Sequence, residues 1–125
     1  MKIVTLISRV LLGLIFVVFG LNGFLHFIPQ QPMPQAAVQF FIALAATHYV
    51  HVVFGIELIT GILFLVNRFV PLALTLIAPV IVNILLFHAF MAPGGIVPGL
   101  VVTLLWFILF AIHRSAFAGI FQART

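Results

Sequence analysis

Charged side chains are scarce in this sequence. They make up only 5% of its 125 residues, whereas 66% of the residues are hydrophobic. A soluble domain typically carries about 25% charged and about 45 to 50% apolar residues, so this composition excludes a soluble globular fold. The strands of an outer-membrane barrel would alternate polar and apolar residues, but the apolar runs here are continuous. The sequence therefore predicts an all-α integral membrane protein.

Cysteine is absent from the chain. Without a thiol, the protein can form no disulfide, run no thiol relay and offer no thiolate to a metal ion or an iron–sulfur cluster. Acidic residues are almost absent as well, since Glu57 is the only one. These two absences remove a large part of membrane redox chemistry from consideration.

Four apolar runs are long enough to cross a bilayer as helices, which takes about 20 residues each. We predict these crossings at residues 3–28, 49–66, 70–91 and 96–112. A signal peptide is the alternative interpretation of the first run, but that run is too long and no small-residue cleavage site follows promptly. The four crossings form a four-transmembrane-helix bundle, a single domain over residues 1–125.

The connection between the first two crossings contains a further apolar segment. Residues 29–35 hold three prolines and three glutamines, which break helical periodicity and indicate a loop. Residues 38–46 are apolar again but too short to span the membrane. We therefore predict a short interfacial or re-entrant helix at about residues 38–46, which caps the bundle.

All five basic residues fall on one side of this topology. They are Lys2 and Arg9 near the start of crossing one, Arg68 between crossings two and three, and Arg114 and Arg124 after crossing four. The positive-inside bias then places both termini in the cytoplasm and the chain in an inner (plasma) membrane. Such charges set topology and contact anionic headgroups, so the expected partner is the lipid bilayer and not nucleic acid.

Polar residues inside the crossings are the candidates for function, because hydrocarbon offers them no partner. Glu57 and Asn83 lie at similar depth when a helix rises about 1.5 Å per residue, while Asn22, His26 and His88 lie nearer the outer mouth. We predict that these five residues form a polar pocket for ligand binding or proton relay in the outer half of the bundle. Its candidate aromatic walls are Phe24, Phe54, Phe87 and Phe90.

Glu57 has two interpretations, because a carboxyl in the membrane must be protonated or receive hydrogen bonds. In the structural one, amides and imidazoles of the polar set tie it between helices; in both, its replacement by leucine is expected to harm folding, because those neighbours lose a partner. In the functional one, it relays protons or contacts a ligand. Arg9 lies at the opposite depth and is expected to reach headgroups or a loop. We expect no haem and no metal ion at this site.

Three motifs follow one another along the crossings. They are Arg9-x3-Gly13-x2-Phe16-x3-Gly20, Gly55-x-Glu57-x3-Gly61 and the stretch NILLFHAFM at residues 83–91. Together they resemble the DoxX family of small four-helix membrane proteins. That family often has a lysine shortly after the second glycine of crossing one, where this chain has Asn22. The family is named for a subunit linked to a terminal quinol oxidase, and relatives are associated with thiosulfate:quinone oxidoreduction, so the resemblance implies a link to quinone.

The leading hypothesis is a small inner-membrane accessory protein or subunit of a redox system, with quinone as its ligand. The sequence shows no electron carrier, so a redox partner protein would have to supply electrons, and a homo-oligomer is a further expected assembly. Two alternatives stay open: a carrier of protons or a small solute with Glu57 as relay, and a purely structural or assembly protein. No nucleophile and base occur at sensible spacing, so we assign no catalytic residue.

Overall fold

A computed structural model describes residues 2–124, and within this range the chain is helical with short connections and no strand. Its α-helices are α1 (Lys2–Leu25), α2 (Gln35–Ala46), α3 (Tyr49–Val66), α4 (Val70–Phe90) and α5 (Ile96–Ile112). Short 3-10 helices lie at Pro93–Gly95 and Arg114–Phe121. Four of the helices are long and apolar enough to cross a membrane, namely α1, α3, α4 and α5 with its preceding turn. The fold is therefore that of a multi-pass membrane protein.

The bounds of α3 and α5 equal the predicted crossings, and α4 ends one residue earlier than predicted. α1 ends at Leu25, three residues before the predicted end. His26 has a backbone φ of 53°, a left-handed conformation that a helix cannot continue through. The side-chain oxygen of Asn22 accepts a hydrogen bond from the Ile28 amide at 2.7 Å and closes this end of the helix. The 3-10 helix Arg114–Phe121 was not predicted.

The four long helices form a ring in which neighbours in space run antiparallel. α1 packs against α3 and α5, and α4 packs against the same two helices from the other side. The indole of Trp106 near the end of α5 donates a hydrogen bond to the Leu74 carbonyl near the start of α4, at 2.9 Å. α2 packs against α3, and its Phe40 and Phe41 contact Phe87 near the end of α4. α2 therefore lies at the end of the bundle opposite to Lys2.

Glycines bring α1 and α3 into backbone contact. A Cβ atom on Gly20 would lie 2.7 Å from the Leu58 backbone nitrogen, and one on Gly61 would lie 2.7 Å from the Val17 backbone nitrogen. Carbon atoms cannot approach other atoms so closely without displacing them, and here the neighbouring atoms belong to a rigid helix backbone. Small residues at a membrane helix interface permit this close packing. The two glycines thus determine how near α1 and α3 approach.

The core of the bundle is apolar, and so is its outside. The largest fully buried apolar side chains come from all four long helices: Leu12, Phe16, Phe64, Leu74, Ile77 and Leu109. Many large apolar side chains on the same helices are exposed, among them Val52, Leu104 and Phe107. Lipid tails are apolar and form no hydrogen bonds, so a surface of this composition is stable in contact with them.

The ring arrangement places the start of α1, the turn between α3 and α4, and the end of α5 at one end of the bundle, where the five basic residues lie. We therefore expect a fluorescent protein fused after residue 125 or inserted at residues 67–69 to behave as cytoplasmic. A secreted phosphatase fused near Gln31 should be active, because the positive-inside bias predicts that this loop lies on the outer side. An inactive phosphatase at Gln31, with normal expression, would contradict the four-crossing topology.

Candidate functional site

Glu57 lies at the middle of α3, eight residues after Tyr49 and nine before Val66. At about 1.5 Å per residue, its backbone is roughly 12 to 14 Å from either end of the helix. The residue is only 6% exposed and belongs to the buried face of α3, together with Thr60 and Phe64. The single acidic side chain of the protein is therefore placed in the interior at mid-membrane depth.

The carboxyl of Glu57 makes no hydrogen bond or ion pair with any group in residues 2–124. Its backbone carbonyl does have a side-chain partner, the Thr60 hydroxyl, at 3.1 Å. Thr60 uses the same hydroxyl to bond the Ile56 carbonyl at 2.8 Å. The Thr60 hydroxyl thus bonds only backbone carbonyls, and the Glu57 carboxyl has no hydrogen-bond partner within the described chain.

Asn22 and His26 were predicted to join Glu57, but the structure uses both at the end of α1. Asn22 directs its side-chain oxygen to the Ile28 amide, as described above. His26 is exposed, and its backbone amide donates to the Asn22 carbonyl at 2.8 Å. Helix ends leave backbone groups without partners, and a short polar side chain nearby satisfies them at little cost. This local demand engages the Asn22 side chain and the His26 backbone at the end of α1, and neither residue forms a hydrogen bond with Glu57.

Asn83 and His88 of α4 are likewise engaged with their own helix. The Asn83 amide nitrogen donates to the Pro79 carbonyl at 2.9 Å, and the residue is exposed on the outside of the bundle. His88 Nδ1 donates a hydrogen bond to the Ile84 carbonyl at 2.9 Å. Neither residue forms a hydrogen bond with Glu57. The structure does not assemble the predicted polar pocket as one connected group.

The four candidate wall residues occupy separate places. Phe54, one helical turn from Glu57, covers Gly23 so closely that a side chain at Gly23 would collide with the ring. Phe24 pairs with His51, with ring centroids 5.6 Å apart. Phe87 stands in an aromatic group described below, whereas Phe90 is 80% exposed and faces outward. Of the four, Phe54 lies nearest to Glu57 along α3.

Sequence reasoning missed an aromatic group at the C-terminal end of α4. Phe87 contacts Phe41 edge to face with ring centroids 5.1 Å apart, and it contacts Phe40 and His88 at 5.7 and 5.1 Å. The signal was present in the sequence, since Phe40 and Phe41 lie in the short segment predicted as a cap. Aromatic pairs at these distances stabilise packing beyond the area they bury. They therefore fix α2 over the end of the bundle.

Arg9 closes the C-terminal end of α3. Its guanidinium donates hydrogen bonds to the carbonyls of Phe64 and Leu65, at 2.5 and 3.1 Å. The last carbonyls of a helix have no intrahelical partner and carry partial negative charge, which favours a cation there. Arg9 therefore pairs with the end of a helix instead of with headgroups, and no cation in residues 2–124 pairs with Glu57.

Within the described residues, no three histidine or acidic side chains lie close enough together to hold a metal ion. What the described residues offer is one carboxyl at the middle of α3, a helix long enough to cross a membrane, with the ring of Phe54 one turn nearer the N-terminal end of that helix. A carboxyl in that position can hold and release a proton and can exchange a hydrogen bond with a polar group that enters from the lipid.

Comparisons of this chain with known protein families, curated proteins and solved structures find no match. The resemblance to the DoxX family therefore stays a prediction from the three motifs between Arg9 and Met91. The side chains of the bundle itself are the basis for a functional conclusion.

Proposed function

We propose that the protein is a small inner-membrane accessory protein or subunit of a redox system, and that Glu57 contacts the head group of a quinone. The observation that carries this proposal is the Glu57 carboxyl, which has no partner in the described chain and whose oxygens are not fully enclosed, although the residue as a whole is buried. The family resemblance, with its implied link to quinone, agrees with it.

A structural role for Glu57 is the less favoured alternative. A polar group that is buried without a hydrogen bond costs roughly 1 to 3 kcal/mol in proteins. A carboxyl that tied helices together would recover this cost through donors on a neighbouring helix, but Glu57 meets none in residues 2–124. The cost is recovered instead when a ligand supplies the partner. Polar residues at bilayer depth that their own protein leaves unpaired are by default functional.

The chemistry of a quinone suits the surroundings of Glu57. A protonated carboxyl donates a hydrogen bond to a quinone carbonyl, Phe54 offers an aromatic face, and the apolar helices suit an isoprenoid tail. Reduction of a quinone to a quinol consumes two electrons and two protons. Glu57 would deliver these two protons one after the other, each replaced from water, whereas both electrons would come from a redox partner protein, since the chain has no cysteine and no assigned electron carrier.

A carrier of protons is the second candidate, and the same carboxyl favours it. Glu57 lies roughly midway between the two ends of α3, so a proton held there is equally far from both membrane surfaces. In this case no quinone would be bound, and the carboxyl would take up a proton from one side and release it to the other.

The quinone content of the purified protein tests the proposal. We expect protein extracted in a mild detergent to retain about one quinone per chain, measured by solvent extraction, absorbance and mass spectrometry. Glu57→Leu should lower this content several-fold, because leucine offers the quinone head group no hydrogen bond, whereas Glu57→Gln keeps an N–H donor and should retain more of it. Thr103→Val is the matched control, since the Thr103 hydroxyl bonds only the Gly99 carbonyl of its own helix.

Two results would overturn the quinone assignment. One is wild-type protein without quinone after extraction from quinone-containing membranes. The other is an equal quinone content in wild type and Glu57→Leu. Proton uptake into liposomes that Glu57→Gln abolishes, in protein without quinone, would instead establish the carrier function.

A further inference from the structure

Asn83 is a polar residue on the lipid-facing side of a membrane helix. It lies seven residues before the end of α4 at Phe90, which places it roughly 10 Å inside the outer boundary of the helix. The residue is exposed, while Val80 and Ile81 on the opposite side of α4 are buried in the bundle. Hydrocarbon cannot replace the hydrogen bonds that water would give this amide.

The hydrogen-bonding capacity of Asn83 is only partly used. A primary amide has two N–H donors and an oxygen with two lone pairs. Within the described residues one donor is used, in the bond to the Pro79 carbonyl, and the second N–H and the oxygen have no partner. The neighbouring backbone adds a further deficit, because Pro79 has no amide hydrogen for the Thr75 carbonyl.

Asn83 belongs to a continuous exposed stripe, here named the Asn83 stripe. Its members repeat at alternating intervals of four and three residues: Leu72, Leu76, Pro79, Asn83, Leu86 and Phe90. This interval is the one at which two membrane helices pack side by side at a shallow angle. The stripe lies outside the contacts of α4 with α3 and α5, which use the buried side of the helix.

We propose that the Asn83 stripe is the interface of a homodimer, in which α4 of one copy packs against α4 of a second copy in parallel orientation. A twofold axis along the membrane normal brings each residue of the stripe to its own equivalent. The amide is self-complementary, so two Asn83 side chains can exchange two hydrogen bonds, each donating the free N–H to the other's oxygen. This self-complementarity of the Asn83 amide favours a second copy of the same chain as the partner on this face.

The rest of the stripe suits this packing. Its other members are apolar, so it presents no charge that a second copy would have to neutralise. A single asparagine within an apolar seam sets the register of two helices, because any shift leaves both amides unpaired in an apolar medium. Glu57 lies inside the bundle on α3, so the dimer is independent of the proposed quinone contact.

Cysteine cross-linking tests the interface cleanly, because the natural chain has no cysteine. Phe90→Cys places one thiol at the outer end of the stripe, two helical turns from Asn83. Leu25→Cys is the matched control at the outer end of α1, diagonally across the bundle, where the side chain is 65% exposed. With full-length protein in liposomes and a mild oxidant, we expect Phe90→Cys to give a covalent dimer and Leu25→Cys to give little.

The role of Asn83 is tested in the same background. Adding Asn83→Leu should weaken association about tenfold, measured as the dimer fraction when the protein is diluted with lipid, and Asn83→Gln should retain part of it. Because Asn83 is exposed, the melting temperature of the bundle in detergent should change little, which separates loss of the dimer from loss of the fold. Equal cross-linking of Phe90→Cys and Leu25→Cys, or a dimer fraction unchanged by Asn83→Leu, would overturn the proposal.

Discussion

Gly20→Leu is expected to force α1 and α3 apart and to lower the melting temperature of the protein in detergent by about 10 °C or more. At this position even a Cβ atom would lie within 3.0 Å of three Leu58 atoms, two of them backbone. A leucine adds three further carbons in the same direction. Overpacking of a well-filled interior costs about 1 to 3 kcal/mol, and the rigid backbone opposite Gly20 places this variant at the upper end.

Gly61→Leu should lower the melting temperature to a similar extent, because the new leucine on α3 would collide with the backbone of Val17 on α1. Gly55→Leu is the matched control on α3, since a Cβ atom there has no neighbour within 4 Å. Leucine also favours helix over glycine, so the control should be as stable as the wild type or slightly more stable. Equal melting temperatures for Gly20→Leu, Gly61→Leu and Gly55→Leu would show that α1 and α3 do not pack through their glycines.

Glu57→Leu is expected to leave the fold intact and to stabilise it by up to about 1 kcal/mol, while it removes the proposed quinone binding. The substitution replaces a carboxyl on a buried residue, whose oxygens keep some accessible surface, by an apolar side chain of similar size, so part of the cost of removing the polar group from water disappears. No donor in residues 2–124 loses a hydrogen bond, because none is bonded to the carboxyl. Thermal unfolding in detergent and the quinone content of the same samples measure both effects.

This expectation is opposite to the one that the sequence suggested. If asparagine or histidine side chains held Glu57, leucine would leave them buried without a partner and destabilise the protein. In the structure Asn22, Asn83 and His88 bond backbone groups of their own helices or helix ends. A marked loss of stability in Glu57→Leu, with Glu57→Gln as stable as the wild type, would restore the structural interpretation and contradict the functional one.

The positions of the long helices were predictable from the sequence because they depend on local composition. A helix crosses a bilayer when about 20 successive residues are apolar, and charge or proline clusters end the run. The bounds of α3 at Tyr49–Val66 and of α5 at Ile96–Ile112 follow from this rule alone. The candidate acid was also predictable, because Glu57 is the only acidic residue and lies within such a run.

The hydrogen-bond partners of polar residues near helix ends were harder to predict from the sequence. Arg9 was expected to find headgroups or a loop, and the structure pairs it with the last carbonyls of α3. Asn22 was expected in a pocket and closes the end of α1. In both cases the decisive partner is a backbone group left unpaired at a helix end, and its position in space depends on how the helices are arranged.

The sequence by itself determined the class of protein, the approximate extent of its four crossings and the presence of one acid at mid-membrane depth. Only the tertiary structure decided which way each helix is rotated, and hence that Glu57 faces the interior and Asn83 faces outward. In a soluble protein the apolar side of a helix marks its buried face. Here lipid tails are as apolar as the core, so hydrophobicity does not distinguish the two sides. The shape of the helix surfaces distinguishes the two sides instead, because α1 and α3 can approach closely only where Gly20 and Gly61 face the other helix.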